Sequence, residues 1–327
     1  MSMTEKPFVG AFSELLEAFV EHKRTLGYKY DTTRGTLQRF SIFTLNYSIE
    51  NKVLGKQVVT DWILRRKNES TKHWAHRNSD LRQFTVYLQN LGYDVFIPPK
   101  CRKSGHDEYI PYIFTHEEIK RLLQTVDFIQ PHPRSNKHAS YPLLFRLLYC
   151  CGLRISEALK LKISDVDLNN GVLFIRESKF GKDRIIPMSA PLTDIFDRYH
   201  ALFNKNNISE NYCFRNRNGT SLTYDNVYKV YRKLLWKAGI SHGGKGKGPR
   251  LHDLRHAFCV HSLAKQVKAG VDLYVALPIL STYVGHSSVA ATQRYVRLTA
   301  EAYPELIEKV SNTCAHVLPE VIEDETD

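Results

Sequence analysis

The stretch FIPPKCRKSGHDEYIPY, residues 96–112, divides this 327-residue chain into two parts. Adjacent Pro98 and Pro99, together with Gly105 and mixed charges, disfavour both a helix and a strand there. A chain of this length can form two domains. We therefore predict a first domain over residues 1–97, a linker over 98–110, a second domain over 111–316 and an acidic, mobile tail over 317–327.

The first part has the apolar spacing of four helices. Apolar residues recur at helical intervals from Phe12 to Leu26, and Gly27 ends the first helix. Asp31 is a candidate N-cap for the second helix. The segments VVTDWILRRK (58–67) and NSDLRQFTVYLQNLGY (78–93) predict the third and fourth helices. The first domain is therefore expected to be all-helical.

The second part combines helices with a short β-hairpin. Thr115 and Glu118 have the spacing of a capping box, and YPLLFRLLYCCGL (141–153) predicts a buried helix that ends at Gly152. VLFIRE (172–177) and RIIPM (184–188) predict the two strands. Helical patterns return over residues 190–205, 223–238, 251–268 and 274–284. The predicted fold is mainly α with a small antiparallel β-sheet or hairpin: a helical N-terminal domain and a mixed α+β second domain.

The chain is strongly basic. It has 46 Lys and Arg against 34 Asp and Glu, which gives a formal net charge of +12 and a pI near 9.3. This excess favours a polyanionic partner, most often nucleic acid, over the alternative of a basic enzyme without one. No apolar stretch is long enough for a membrane span, and the N-terminal residues do not have the pattern of a secretory signal.

The six cysteines do not have the spacing of a metal site. They form no CxxC pair, and Cys150 and Cys151 lie within an apolar run, which predicts core packing. Neither a zinc site nor a disulfide framework is expected, and a reducing cytoplasm fits this composition.

Two basic segments are candidates for phosphate contacts. RRKNESTKHWAHR (65–77) is typical either of a solvated helix face with a loop or of a phosphate-contacting surface. HGGKGKGPR (242–250) completes a GxxxxGK match, but Gly246 replaces the Ser or Thr that would hold magnesium, which excludes a nucleotide-binding loop. A cationic loop that closes over a phosphate backbone fits better. The candidate DNA-binding residues are Arg65, Arg66, Lys72, Arg77, Lys245 and Lys247.

Two basic residues of the second domain, Arg154 and Lys179, lie in predicted turns. Arg154 follows Gly152 in a turn between two predicted helices, the second of which Ser156 could cap. A guanidinium is unexpected there unless an anion binds, although a surface arginine is the simpler interpretation. Lys179 lies in the predicted hairpin turn SKFGKDR, where lysines are common.

The segment LHDLRHAF (251–258) places His252 and Arg255 three residues apart on one helix face. The neighbouring face is apolar, so the helix could present both groups together; a solvated polar face is the alternative. In VGHSSVAATQRYV (284–296), Gly285 ends a helix, His286 follows in a turn, and Ser287 or Ser288 caps a short helix. Tyr295 is predicted to lie beside, not on, the apolar stripe of that helix, which weakens a packing role.

Taken together, Arg154, Lys179, the His252-x-x-Arg255 pair, Gly285-His286 and Tyr295 resemble, in this order and spacing, the tyrosine recombinase (phage integrase) family. The resemblance covers both domains: the first resembles the family's helical core-binding (SAM-like) DNA-binding domain, and the second its catalytic domain. LPILSTYVGHSSVAATQRYVRLTAEAYPE (277–305) is similar to integrases and transposases of bacterial mobile elements. Val284 departs from the usual leucine before Gly-His, and the loop at 243–248 is not expected in every member.

The resemblance implies a site-specific recombinase that forms a 3′-phosphotyrosine intermediate. Tyr295 would be the nucleophile, Arg154 and Arg255 would clamp the transition state, and Lys179 would be the general acid. His252 would act as an acid or base, and His286 would hydrogen-bond the phosphate. Glu157 and Asp253 are orienting or structural groups, and neither a metal nor a cofactor is expected.

The resemblance also implies partners. The first partner is double-stranded DNA with inverted-repeat core sites. The chain is expected to act on paired sites as a homotetramer, and accessory directionality factors are further candidates. Integration, excision or transposition of a mobile element in the cytoplasm, associated with the nucleoid, is the expected role. The segment after Tyr295 packs either on its own domain or on a neighbouring protomer. A type IB topoisomerase-like enzyme and a non-catalytic DNA-binding regulator are the alternatives.

Overall fold

A computed structural model describes residues 6–101, 110–133, 135–176, 183–203, 211–216, 218–241, 243–244, 248–285, 295–296 and 298–299. The chain divides into two compact units, Met1–Glu108 and Tyr109–Asp327, which are considered separately below. Most of the predicted linker and the whole predicted tail, residues 317–327, lie outside the described residues. The assignment of a DNA-binding role to the first unit and a catalytic role to the second stays a prediction.

The first unit contains four helices in its described part: α1 (Ser13–Thr25), α2 (Asp31–Thr44), α3 (Lys56–Ile63) and α4 (Thr71–Asn90). Phenylalanine, leucine, valine and tryptophan side chains from all four form its core. Gly27, with a φ of +86°, follows α1 as expected. Asp31 is the first residue of α2 and does not cap it; the N-cap is Tyr30, whose side chain makes no capping hydrogen bond.

The start of α4 differs from the prediction. The helix begins at Thr71, where the Ser70 side chain accepts a hydrogen bond from the His73 amide at 3.1 Å. The first turns of α4 bury Arg77 and Asn78 rather than apolar residues. A helix is recognised in a sequence by its apolar periodicity, and Arg77 and Asn78 are buried polar residues. The first two turns of α4, about seven residues, were therefore not predicted.

The described part of the second unit has seven α-helices, one short 3₁₀ helix (Ile163–Asp165) and a small sheet. The helices are α5 (His116–Asp127), α6 (Lys137–Cys150), α7 (Ile155–Lys160), α8 (Ala190–Phe203), α9 (Tyr224–Lys237), α10 (Asp253–Lys268) and α11 (Leu273–Val284). The predicted capping box is confirmed: the Glu118 amide donates to Thr115 Oγ1 at 3.1 Å, and the Thr115 amide to Glu118 Oε2 at 2.9 Å. None of the helices in the described ranges is long and apolar enough to cross a membrane.

The sheet is antiparallel, with the order β1 (Val166–Asp167), β2 (Val172–Ile175) and β3 (Arg184–Pro187). Pairing of Ile175 with Arg184 and of Val172 with Pro187 confirms the predicted pair of strands. The short strand β1 was not predicted, because two residues give no detectable alternation. The mainly helical fold with a small antiparallel sheet is therefore as expected.

Helix α6 lies at the centre of the second unit, packed against α5, α7, α8 and α10. Its leucines are almost completely buried. Cys151 is buried as predicted, but Cys150 is exposed. Cys150 is the last residue of α6 and Cys151 its C-cap, so the two cysteines lie where the helix leaves the core.

Helices α10 and α11 pack together and form a second apolar cluster in this unit. Cys259, Val260 and Leu263 of α10 face Ala276 and Leu280 of α11, and Tyr295 and Leu298 belong to the same cluster. This packing fixes the position of Tyr295 relative to α10.

Candidate active site

Arg154 occupies the N-cap of α7, immediately after a sharp turn at Gly152, whose φ is +59°. The Arg154 amide donates to Glu157 Oε2 at 2.9 Å, and its guanidinium Nη1 donates to Glu157 Oε1 at 2.7 Å. The expectation that Ser156 caps this helix was wrong: Ser156 lies inside α7 and is exposed. Glu157 closes the helix start instead, and in doing so it orients Arg154.

Glu157 also binds a second arginine, Arg184 of β3. Arg184 Nη1 and Nη2 donate to the two oxygens of Glu157 at 2.9 and 2.8 Å. Burial alone would raise the pKa of Glu157, but its hydrogen bonds and charge interactions with Arg184 and Arg154 outweigh burial and lower that pKa to about 2. Glu157 is therefore a fixed anion between two cations.

The end of α11 holds three arginines. Three successive carbonyl oxygens there each accept a hydrogen bond from a different guanidinium. The pairs are Arg184 with Tyr283, Arg255 with Val284 and Arg154 with Gly285. Helix C-termini leave carbonyls unsatisfied and carry partial negative charge, so they favour cations. The turn at Gly285, with a φ of +66°, thus connects Arg154 and Arg255.

Among the predicted site residues that the structure describes, Arg255 is the most deeply buried, at 1% exposure. In addition to Val284, it donates from Nη1 to the Gly152 carbonyl at 2.6 Å. Burial and the nearby charge of Arg154 lower the pKa of Arg255 to about 10. The guanidinium still carries its positive charge at neutral pH.

His252 lies at the N-cap of α10, one turn before His256. The two imidazole rings approach edge to face, with centroids 4.8 Å apart. Desolvation of the ring and the positive charges of Arg255 and Arg154 lower the pKa of His252 to about 4. His252 is therefore neutral at physiological pH.

Tyr295 is 3% exposed and packs against α10. Its hydroxyl lies 2.8 Å from His256 Nδ1 and hydrogen-bonds the Cys259 thiol. Burial and Cys259 raise the pKa of Tyr295, and Arg255 and Arg154 only partly offset them. The prediction that Tyr295 lies off the packed face was wrong, because the sequence could not reveal that α10 covers it.

Three further residues of this region were not predicted as part of the site: Arg184, His256 and Cys259. His256 had a detectable signal, since it lies four residues after His252 and therefore on the same face of α10. Arg184 lies in a predicted strand, and its sequence context gives no further signal. Cys259 had no distinguishing feature, because buried cysteines are common in cores.

The structure brings together four of the six predicted catalytic residues: Arg154, His252, Arg255 and Tyr295. Lys179 and His286 lie outside the described residues. Asp253 is buried at the start of α10 and accepts a hydrogen bond from the Arg250 amide at 2.8 Å, in keeping with a structural group.

A family model decides the relationship to known proteins. The model described as the phage integrase family matches residues 113–302, more than half of the chain. The chain belongs to the phage integrase family of tyrosine recombinases. This membership confirms the resemblance that the sequence motifs indicated.

Curated relatives of this recombinase cover much of its length. It is 30% identical over 309 residues to the putative integrase/recombinase y4rB of Sinorhizobium fredii, spanning 92% of this chain and 98% of that protein. It is 31% identical over 216 residues to the tyrosine recombinase XerA of Pyrococcus furiosus, spanning 65% of each chain.

Two solved structures share the fold of the recombinase. The XerH site-specific recombinase bound to palindromic difH substrate matches with a TM-score of 0.62 and 21% identity, over 93% of this chain and 85% of that one. The Tn1549 transposon integrase in complex with transposon right-end DNA matches with a TM-score of 0.60 and 20% identity, over 89% and 99%.

The predicted DNA-binding residues of the recombinase have different environments. Arg65, Arg66 and Lys72 are exposed in the first unit. Arg77 is 2% exposed; it pairs with Glu69 at 2.7 Å and donates to the carbonyls at the end of α3. A DNA contact by Arg77 would require this network to open. Lys245 and Lys247 lie outside the described residues.

Proposed function

We propose that the recombinase cleaves and rejoins DNA at specific sites through a phosphodiester bond to Tyr295. The observation that carries the proposal is the convergence of Arg154, Arg255 and Tyr295 around the end of α11 and the start of α10. Two cations and a phenol are the groups that a phosphoryl transfer to tyrosine requires.

The two arginines have the chemistry of a transition-state clamp. Attack on phosphorus concentrates negative charge on the non-bridging oxygens, and planar guanidiniums match phosphate geometry. Arg255 is oriented by two backbone carbonyls, and Arg154 by Glu157 and the Gly285 carbonyl. These contacts orient both guanidiniums before DNA binds.

Tyr295 suits a reversible reaction. A phenol is a better leaving group than an alcohol, so the 3′-phosphotyrosine bond conserves the energy of the cleaved phosphodiester and no ATP is needed. Lys179 would protonate the departing 5′-oxygen, and His286 would hydrogen-bond the phosphate. His252, neutral near physiological pH, would serve as an acid or base beside the phosphate.

DNA entry has to rearrange the site. Tyr295 and Arg255 are both almost fully buried, yet a phosphate has to touch both. We therefore include in the proposal an opening step that accompanies DNA binding. The exposed cations Arg65, Arg66 and Lys72 would contribute to backbone contacts in that step, together with Lys245 and Lys247.

The biological role follows by analogy with relatives. The Tn1549 transposon integrase has been solved in complex with transposon right-end DNA, and y4rB is named a putative integrase/recombinase. Integration, excision or transposition of a mobile element is accordingly proposed for this chain, by a homotetramer on paired duplexes with inverted-repeat core sites, in the cytoplasm at the nucleoid. Accessory factors would set the direction.

The test uses nicked suicide duplexes that tile the DNA flanking the encoding locus. Covalent protein–DNA adducts on a denaturing gel are expected with the wild-type protein and not with Tyr295→Phe. Adducts formed by Tyr295→Phe would overturn the nucleophile assignment. A supercoiled plasmid without such a site should not be relaxed, and efficient relaxation would support a type IB topoisomerase instead.

A matched substrate tests Lys179. A 5′-bridging phosphorothiolate has a leaving group that needs no protonation. Lys179→Ala should cleave this substrate at close to the wild-type rate while it fails on the normal oxygen substrate. Equal defects on both substrates would contradict the acid role of Lys179.

A further inference from the structure

The Tyr295 hydroxyl lies between two side chains of α10. His256 Nδ1 is 2.8 Å from the hydroxyl oxygen, and the Cys259 thiol hydrogen-bonds the same oxygen. His256 and Cys259 are three residues apart and therefore share a helix face. Neither residue belongs to the set of catalytic groups described above.

The Tyr295 hydroxyl has one proton to donate and two neighbouring acceptors. Cys259 is fully buried, and burial raises the pKa of its thiol to about 11, so it remains a neutral thiol, a weak acceptor, at neutral pH. The Tyr295 proton therefore has a stronger acceptor available. That acceptor is His256 Nδ1, which lies at normal hydrogen-bond distance.

We propose that His256 is the general base that takes the proton of Tyr295 during DNA cleavage. The inference rests on the proposed nucleophilic role of Tyr295. The Oη–H bond breaks as the proton moves to His256 Nδ1, and Oη forms a bond to phosphorus. The bond from phosphorus to the 5′-oxygen breaks, and that oxygen takes its proton from the general acid. Rejoining reverses each transfer, so His256 returns the proton to Tyr295.

The phenol needs such a base. Burial holds the Tyr295 hydroxyl in its protonated form, which makes ionisation before attack unfavourable. Transfer to a neighbouring base during attack avoids a free phenolate in the apolar cluster. The imidazolium that results would be close to the phosphate, whose growing negative charge stabilises it.

His252 is less well placed for this step. Among the contacts of the described residues, His256 holds the hydrogen bond to Tyr295, whereas His252 faces the His256 ring at 4.8 Å. Desolvation of its ring and the positive charges of Arg255 and Arg154 also lower the pKa of His252, although the residue is partly open to solvent. In the described part of the chain, His252 of α10 and the phenol of Tyr295 lie against the His256 ring. His252 can instead serve the phosphate side of the reaction.

His256→Asn is the first test. Asparagine can place an oxygen acceptor near the position of Nδ1, but it cannot take up a proton. Single-turnover cleavage of the suicide duplex is expected to fall by about 10²-fold or more. The matched control is His261→Asn, which replaces another α10 histidine, one that bonds Tyr149 at 2.8 Å. The control should cleave within about threefold of wild type. A His256→Asn rate within that same range would overturn the proposal.

Fluorinated tyrosine at position 295 separates proton transfer from positioning. Fluorination lowers the phenol pKa, so the nucleophile depends less on a base. Incorporation of 3,5-difluorotyrosine should raise the His256→Asn cleavage rate by about tenfold relative to its effect in the wild-type background. An equal effect in both backgrounds would mean that His256 only positions the hydroxyl, which would overturn the base role.

The two hypotheses fail in different ways. If the wild-type protein forms no adduct on any tiled duplex, while Tyr295→Phe behaves identically, the proposed function fails. If the wild type forms the adduct and His256→Asn does so equally fast, only the base assignment fails. Thermal unfolding of His256→Asn and His261→Asn, measured in parallel, ensures that folded proteins are compared.

Discussion

Glu157 accepts hydrogen bonds from both terminal nitrogens of Arg184, at 2.9 and 2.8 Å. The same carboxylate accepts from Arg154 Nη1 at 2.7 Å. One buried anion therefore links β3 to the turn before α7 and fixes a guanidinium of the candidate phosphate clamp. Removing the anion would leave two cations facing each other in a poorly solvated place.

Glu157→Gln should destabilise the protein in a pH-dependent way. The folded-state pKa of Glu157, about 2, lies below its ordinary value of 4.5. The carboxylate thus contributes stability above pH 4.5 that is lost as pH falls towards 2. Near neutral pH, the loss in unfolding free energy is expected to be on the order of 3 kcal/mol. Urea unfolding at several pH values measures it.

The control for this series is Glu117→Gln, which removes an exposed carboxylate of α5. Its unfolding free energy should stay within about 0.5 kcal/mol of wild type. A Glu157→Gln defect that persists unchanged at the acid end of the series would show that packing, not charge, is responsible.

Gly152→Ala should disturb both stability and the position of Arg255. Gly152 has a φ of +59°, and a Cβ there would overlap the Phe258 ring. Its carbonyl also holds Arg255. We expect a loss in unfolding free energy of about 2 to 4 kcal/mol, from strain and overpacking together.

Gly239→Ala is the matched control. Gly239 has a φ of +67° and open space around the added methyl, so this change should cost about 1 kcal/mol. Equal losses, measured by urea unfolding, would exclude the clash with Phe258.

The sequence predicted the elements whose signal is local. Helices α9, α10 and α11 begin and end within two residues of their apolar patterns, and the capping box of α5 depends only on Thr115 and Glu118. The start of α4 could not be found in this way, because Arg77 and Asn78 are buried through polar contacts with residues far along the chain or in the preceding loop.

The candidate site shows the same difference between local sequence signals and long-range contacts. Residue identity and spacing indicated Arg154, His252, Arg255 and Tyr295. The contacts that give them their chemistry are non-local: Arg255 bonds Gly152, 103 positions away, and Tyr295 bonds His256, 39 positions away. Burial of Tyr295 against α10 is a tertiary property, so the helical periodicity of its own short segment could not reveal it.

Arg77→Ala and Arg66→Ala should separate folding from DNA binding in the first unit. Arg77 is buried against Glu69, whose pKa its hydrogen bond lowers to about 2, so Arg77→Ala removes the main partner of that carboxylate and the donor to two carbonyls at the end of α3. The expected loss in unfolding free energy is about 3 to 5 kcal/mol. Arg66 is exposed, and Arg66→Ala should leave stability within about 0.5 kcal/mol of wild type.

DNA binding, in contrast, should change in Arg66→Ala. Loss of one phosphate contact in Arg66→Ala should reduce the slope of log affinity against log salt concentration by about 1. Titration of random-sequence duplex at several salt concentrations measures this slope. An unchanged slope for Arg66→Ala would remove it from the proposed DNA-binding surface.

Cys259 should report the release of Tyr295 from its buried position. The thiol is fully buried under the Tyr295 hydroxyl, whereas Cys150 is exposed on α6. In the free protein, we expect a maleimide to label Cys259 at least about 10²-fold more slowly than Cys150, as followed by peptide mass spectrometry. In the trapped covalent complex, Tyr295 has to leave the thiol to hold phosphorus, so Cys259 labelling should rise by about tenfold.

Cys150, whose surroundings do not include Tyr295, serves as the internal reference. If Cys259 remains as slow in the covalent complex as in the free protein, Tyr295 reaches the phosphate without the opening step.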